Sequence, residues 1–371
     1  MLKKYLLLLI LLSLTSCNQQ KVDPIPDISI NVKNIIFMVG DGMGLAHINA
    51  ARLKARHENK SFIIDTLPVT GLVNTHASNH LITDSAAAAT ALATGYKTSN
   101  KTIGMSPDGK KFKTILEAAQ DKKMATGLVA TSSITHATPA AFVAHVRSRK
   151  QQSEIAEQLL ESQTDVLLGG GKAFFLPDTA ADSLREDGQD LIAKAKLKGY
   201  TLLETRRELL TNSDDKILGL FAKDGLNFKE SEPSLAEMTQ AALNRLSKNQ
   251  TGFILIVEGS QIDWASHHKN TDETIHQTIL FDHAVETALN FAKTNGETLL
   301  LVTADHETGG MTINKGKLDG SRLEIRWTTK KHTAIDVPLY AYGPGAIEFT
   351  GTMDNTIIPK KLAEILNLSL D

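Results

Sequence analysis

The sequence predicts a three-layer α/β/α domain around a largely parallel central sheet. Three observations carry this. From about residue 34 onward, near-continuous apolar runs of strand length alternate with amphipathic stretches of helical length. Strands without polar alternation belong to sheets covered on both faces, and interleaved helices make neighbouring strands parallel. Several of the apolar runs also end in acidic residues or histidines, which suits a ligand site outside the carboxyl ends of an open sheet.

The strand candidates, in order, are NIIFMVG (34–40), MATGLVATS (124–132), TDVLLGG (164–170), KILGLFA (216–222), GFILIVEG (252–259), ETLLLVTAD (297–305) and DVPLYAYG (336–343). Between them lie helical candidates such as EIAEQLLES, LAEMTQAALNRLSK and ETIHQTILFDHAVETALNFAK. A further helix is expected in LITDSAAAATALATG (81–95), because alanine is the best helix former and Asp84 and Ser85 suit a helix start. Ser85 reads two ways there. It is either part of an ordinary capped start or a nucleophile placed where backbone N–H groups and the helix dipole attract an anion. Residues 172–232 carry more charge and weaker strand signals, which predicts a peripheral region. The stretch from Lys97 to Lys113 reads as a solvated face. No short-period repeat or low-complexity tract interrupts the pattern.

With 371 residues, 42% hydrophobic and 22% charged, the chain has the composition of a soluble globular protein able to bury a substantial core. Its formal net charge of −2 and lack of a sustained basic run argue against nucleic-acid binding. An anionic substrate must then be captured by a local site rather than by the overall field.

The first residues, MLKKYLLLLILLSLTSC, combine two lysines, a short apolar stretch and small residues. That stretch is too short to span a bilayer comfortably and fits an export signal. Leu14-Thr15-Ser16-Cys17 resembles a bacterial lipoprotein box, in which the cysteine is lipidated and becomes the new N-terminus. The expected organisation is a signal peptide over residues 1–17, a flexible tether over 18–33 and a single folded domain over 34–371. The expected location is a membrane face, periplasmic or at the cell surface, reached through a lipid anchor on Cys17. Since Cys17 is the only cysteine, no internal disulfide can form.

Three strands deliver acidic groups to their carboxyl ends. NIIFMVG runs into Asp41, FILIV into Glu258 with Asp263 soon after, and LLLVTA into Asp305 and His306. Like charges gathered in a partly buried site disfavour one another, so cations are the economical explanation. Asp263 and His267 lie four apart and share one face if the segment is helical. His332 opens HTAIDVPLYAYG before another strand. Mixed imidazole and carboxylate ligands suit zinc. Each motif alone also fits a plain turn or surface helix, and their joint placement is what favours metal. His76, His80, His145, His268, His276 and His283 lack such company and read as structural or exposed, with His145 packing beneath the Arg149 segment.

VGDGMG, TDSAAAATALATG, THATPAAFVAHVRSR, VEGSQIDWASH, VTADHETGG and KHTAIDVPLYAYGPG together resemble the alkaline phosphatase family, in that family's order and over most of residues 34–371. The resemblance implies hydrolysis of phosphate monoesters through a phosphoserine on Ser85. It implies two zinc ions, the first held by Asp263, His267 and His332, the second by Asp41, Asp305, His306 and Ser85. A third metal, magnesium or zinc, would take Glu258 and Thr138 and share Asp41. Arg149 would hold the phosphate, oriented by Asp84. His136 stands where the enterobacterial pattern has aspartate near the third metal, which leaves that metal's identity open. Trp264 stands where many bacterial members have lysine and is expected beside the phosphate as a substrate-binding residue. A homodimer is compatible with the family. Two other readings stay open here: a phosphodiesterase or related hydrolase of the same superfamily, and a lipid-anchored metal- or phosphate-binding protein without activity.

Overall fold

In the computed structural model, residues 31–371 are described; Cys17, the signal segment and the tether up to residue 30 lie outside the described residues. The strands are β1 (Asn34–Gly40), β2 (Val69–Asn74), β3 (Ala125–Ser133), β4 (Val166–Gly170), β5 (Thr201–Leu203), β6 (Ile217–Leu220), β7 (Phe253–Gly259) and β8 (Thr298–Thr303), followed by β9 (Glu307–Thr308), β10 (Met311–Lys315), β11 (Glu324–Trp327), β12 (His332–Thr333), β13 (Val337–Tyr342) and β14 (Gly351–Asp354). Ten of them form one sheet in the order β14-β2-β13-β8-β1-β7-β3-β4-β6-β5. Within it only β13 runs against its neighbours, β2 and β8. The remaining four strands make two short antiparallel ribbons, β10 with β11 and β9 with β12.

The central strands β1, β7 and β8 are buried along their whole length, because helices cover both faces of the sheet. Phe253 of β7 meets Phe291 of the helix Thr271–Asn295 on one face. Three residues on in β7, Ile256 points to the opposite face, in register with Phe37, and Phe37 meets Phe142 there. The α/β/α expectation is therefore met, with the seven expected strands all in the sheet.

β2, β5 and β14 were not legible. β2 and β14 are partly exposed near one edge, and β5 is a three-residue edge strand, so none has the apolar run that marks a buried strand. Residues 172–232, expected to be peripheral, supply β5 and β6 at the far edge.

The register sets the functional edge. Val39 of β1 lies level with Glu258 of β7 and Thr303 of β8, and Ala130 of β3 also pairs Glu258. Four adjacent strands thus end together, and the residues just past their ends converge.

Residues 85–94 form the expected helix, buried at every position. Such a helix can pack on all sides only if its side chains are small, which the alanines provide. Asp84 caps it by accepting from the Ala87 N–H at 3.0 Å. Gly95, at φ 79°, ends it in the left-handed conformation.

The solvated reading of Lys97–Lys113 holds for Lys101, Lys110 and Lys111, which are exposed, but not for the segment as a whole. Lys97 is mostly buried, donating to the His76 carbonyl and pairing with Asp354 at 3.1 Å. Asn100 and Lys101 bond to the backbone and side chain of Asp84. The segment folds back beside Asp84 and the start of the helix, and its polar residues serve that packing. Among the described residues no helix is long and apolar enough to cross a membrane.

Candidate metal centre and nucleophile

Beyond the ends of β8, β1, β7 and β3 the side chains gather into three groups. Each has its ligand atoms within 4.8 Å of one another: Asp263, His267 and His332; Asp41, Asp305 and His306; and Asp41, Glu258 and His136. The helix Gln261–His267 places Asp263 and His267 on one face, as their spacing predicted. His332 arrives on β12, whose pairing with β9 sets it opposite Thr308. The His306 and His332 rings stack with centroids 3.6 Å apart, so the first two groups touch.

The hydrogen bonds fix the imidazole tautomers. His267 Nδ1 donates to the Lys330 carbonyl at 2.6 Å, and His332 Nδ1 to the Thr83 carbonyl at 2.8 Å. A carbonyl only accepts, so each neutral ring turns a bare Nε2 inward, as metal-ligating histidines do. Those two nitrogens face each other at 3.2 Å, with Asp263 oxygens 3.3 and 3.6 Å away. Lone pairs set face to face repel unless a proton or a cation lies between them. Around His306 Nε2 the same convergence recurs, with Ser85 Oγ at 3.2 Å, Asp305 Oδ2 at 3.2 Å and Asp41 Oδ1 at 3.5 Å.

Buried polar atoms normally have partners. Here both Asp41 oxygens, Asp305 Oδ2, Glu258 Oε1 and Thr138 Oγ1 have none within the protein. Four carboxylates, Asp41, Glu258, Asp263 and Asp305, are buried here; the Arg149 charge eases Asp41 and Glu258, while its ion pair is with Asp84. Burial, followed by repulsion from Asp305, Asp263 and Glu258, pushes the Asp41 carboxyl well above its ordinary range. Burial likewise raises Glu258, against hydrogen bonds from Ser260 and Ser132. It also lifts Asp305 to about 7, although the Gly42 N–H opposes it. Asp263 differs. Burial would raise it, but the His267 hydrogen bond and the neighbouring imidazoles outweigh that and hold it low. His267 rises correspondingly to about 9, chiefly through its bond to Asp263. The donor set, its orphaned atoms and its crowded charge all fit divalent cations at these three groups.

Ser85 is buried at the helix N-terminus. Beside it Arg149 Nη1 pairs with Asp84 Oδ2 at 3.3 Å, and Nη2 donates to His136 Nε2 at 2.9 Å. Each terminal nitrogen keeps a second N–H for an anion. Asp84 thus serves both as helix cap and as anchor of the guanidinium. Burial, then the Arg149 charge, lowers His136 to about 3 and keeps it neutral. Because its Nε2 accepts from Arg149, the ring proton sits on Nδ1, and that nitrogen cannot at the same time bind a metal.

The half-buried Trp264 stands edge-on to His136, with centroids 6.0 Å apart. Its ring lies over Gly225, where an added Cβ would fall 2.4 Å from the indole. It is therefore one residue removed from Arg149. Of the histidines set aside, His268 bonds back to the Trp264 carbonyl within its own helix, and His145 bridges Gly104 O and Glu117 Oε1. None of the six joins a metal-like group among the described residues.

Sequence reasoning missed four supports. His47, fully buried, accepts from the Gly44 N–H and bonds Ser266 Oγ at 3.1 Å, bracing the helix that carries Asp263. Glu307 accepts from the Gly310 and Met311 N–H groups and from Thr333 Oγ1, tying β12 in place. Thr308 bonds Asp263 and His306. Ser260 holds Glu258 at 2.6 Å. For Glu307, Thr308 and Ser260 the signal was only adjacency to candidate ligands, as in DHET and EGS, and His47 carried none.

Comparison with known proteins places this geometry. The profile described as alkaline phosphatase matches residues 32–323 and 319–368. Alkaline phosphatase 4 of Bacillus subtilis is 36% identical over 88% of this chain and 87% of its own. The solved alkaline phosphatase of the Antarctic bacterium TAB5 is 36% identical with a TM-score of 0.83, covering 91% of this chain and 99% of that one. A histidine-to-aspartate mutant of the TAB5 enzyme, with magnesium bound in its M3 site, is 35% identical with a TM-score of 0.81, over 92% and 99% of the two chains.

The charge arrangement predicts proton release on metal binding. Asp305 and Asp41 hold their protons below their raised pKa values, and His267 holds one below about 9; a cation needs all three deprotonated. Zinc added to the chelated protein should therefore displace protons, and more of them as pH falls from about 8 to about 6. Calorimetry in buffers of different protonation enthalpy reads this directly. Binding at the lower pH without proton release would contradict it.

Proposed function

Because the chain belongs to the alkaline phosphatase family, and so is a phosphate monoester hydrolase, we propose that it acts through a covalent phosphoserine on Ser85. The observation that carries this reading is the convergence on Ser85 Oγ of His306 Nε2 at 3.2 Å and of a helix N-terminus flanked by Arg149. Asp263, His267 and His332 would hold a first zinc, and Asp41, Asp305, His306 and Ser85 a second. Bound zinc supplies the positive charge that favours ionised serine, leaving-group and water oxygens near neutral pH.

The chain's own groups do the rest. Arg149, fixed by Asp84, grips two phosphate oxygens with its paired N–H groups, which lysine could not imitate. The free N–H groups of the helix start face the developing negative charge. Ser85 Oγ gives up its hydroxyl proton and attacks phosphorus in line, and the ester oxygen departs with the P–O electron pair and takes up a proton, so that one proton passes overall from serine to alcohol. Water then attacks the same phosphorus and loses a proton, the Oγ–P bond breaks with its electron pair going to Oγ, and Oγ takes up a proton as inorganic phosphate is released. Two inversions give net retention.

For the third site, Asp41, Glu258 and Thr138 offer oxygen ligands while His136 is engaged by Arg149. An oxygen-only set would suit magnesium, with His136 left on Arg149 as a neighbour that donates through Nδ1–H. Zinc there would require His136 to release Arg149. Trp264, beside His136, walls the phosphate end with a neutral group where lysine would add charge. At the N-terminus we infer export and lipidation of Cys17, which would tether the enzyme to a membrane face through residues 18–33.

Three outcomes are expected. Ser85→Ala should lose the phosphoenzyme and several orders of magnitude in turnover while zinc stays bound, as seen by phosphate trapping and metal analysis; near-wild-type turnover would end the covalent reading. Trp264→Lys should tighten competitive inhibition by inorganic phosphate about tenfold, the scale of one added charge-assisted hydrogen bond, whereas an unchanged inhibition constant at full zinc occupancy would remove Trp264 from the site. In the native host, Cys17→Ser should move the protein from the membrane to the soluble fraction with catalysis intact. An unmodified wild-type Cys17 in mass spectra would contradict the anchor.

A further inference from the structure

We propose that Thr308 is a positioning residue that locks the ligand groups of the first and second zinc sites into one geometry, an inference that rests on the two-zinc reading. Thr308 is fully buried on β9. Its hydroxyl has a single hydrogen, donated to Asp263 Oδ1. The oxygen's lone pair then faces His306 Nδ1 at 3.3 Å, so that nitrogen is the one bearing the ring proton. Through this bond the His306 tautomer is set, and the bare Nε2 is directed toward Ser85, Asp41 and Asp305.

The backbone of the same residue completes the junction. The Thr308 N–H donates to Gly42 O at 3.1 Å, one residue beyond Asp41. Thr308 also pairs across the ribbon with His332. Segments carrying Asp41, Asp263, His306 and His332 therefore meet at one threonine. The fit is close: Gly42, at φ +71°, would place any Cβ 2.7 Å from Thr308 Oγ1 and 3.0 Å from Asp263 Cα. Without the hydroxyl, Asp263 Oδ1 loses its donor and His306 Nδ1–H loses its acceptor, and both ligands are free to turn. Groups of this kind around ligating histidines are worth about 10–100-fold in metal affinity.

Two substitutions separate the hydroxyl from the packing. Thr308→Val keeps the branched shape and removes the hydroxyl; Thr308→Ser keeps the hydroxyl and removes a methyl. Zinc affinity of each chelated protein is measured by competition with a chromophoric chelator, and thermal unfolding of the same chelated samples reports on the fold. The expected result is that Thr308→Val binds both zinc ions about 10–100-fold more weakly with the unfolding temperature of the chelated wild type, and that Thr308→Ser stays within a few-fold of wild type. If Thr308→Val fails to fold, Thr308→Ala carries the same expectation. Wild-type affinity in the valine variant, or a loss in the serine variant equal to that in valine, would overturn the proposal and leave the two-zinc reading standing. A wild-type protein that takes up no zinc would overturn both.

Discussion

The structure turns on the gathering of four carboxylates, Asp41, Glu258, Asp263 and Asp305, at one buried edge with a single guanidinium for company. In a low-dielectric site such a group cannot stay ionised without cations. The rest of the molecule can be understood as the scaffold that makes the gathering tolerable. Apolar strands of the central sheet end level with one another, so the acidic residues at and beyond their ends arrive together. Helices on both faces keep water from the strands, and the antiparallel β13 leads back from the ribbon that carries His332. The imidazoles of His267 and His332 are pinned by backbone carbonyls with their Nε2 atoms bare. Carboxylates, lone pairs and unpartnered hydroxyls all ask for the same thing, positive charge without a proton.

Ser85 shows why the bland and the catalytic readings of a helix start need not compete. Asp84 caps the helix through Oδ1 and anchors Arg149 through Oδ2. The cap leaves the remaining N–H groups of the first turn free, and the anchor brings a guanidinium beside them. One carboxylate therefore prepares both halves of an anion site next to a serine hydroxyl, and the alanines behind it let that helix sit deep enough for His306 to reach Oγ. The segment after the helix, legible only as lysine-rich, closes the arrangement: the Lys101 N–H bonds Asp84 and the Lys101 carbonyl accepts from the Arg149 N–H at 2.8 Å.

Much of this was readable in the sequence because it rests on local pattern. Apolar runs ending in Asp41, Glu258 and Asp305 fix strands and their functional ends together, and the i, i+4 spacing of Asp263 and His267 needs only one helical turn. What escaped depends on distant partners. β2 and β14 are recognisable only by what they pair with, since half-exposed edge strands lack a burial signature. Glu307 and Thr308 look like turn residues until the ribbon folds and brings Thr333 and His332 opposite them. His47 lies 219 positions from Ser266, the residue whose helix it braces. Thus the residues that gather at the sheet edge were legible, while those that orient them were not, because orientation is a property of the tertiary fold.

His136 and Trp264 carry the same logic to the periphery. A neutral imidazole has one acceptor, and Arg149 occupies it, so His136 cannot serve Arg149 and a cation with the same lone pair. Whatever moves His136 alters both. Trp264 packs edge-on against that ring and rests on Gly225, in the loop after β6. The charged region over 172–232 therefore has a direct line of contact to Arg149: loop to indole, indole to imidazole, imidazole to guanidinium. A side chain at Gly225 would push the indole out of its seat before it disturbed any ligand. Changes in the region with the weakest fold signal can in this way reach Arg149 while the four carboxylates and Ser85 stay where they are.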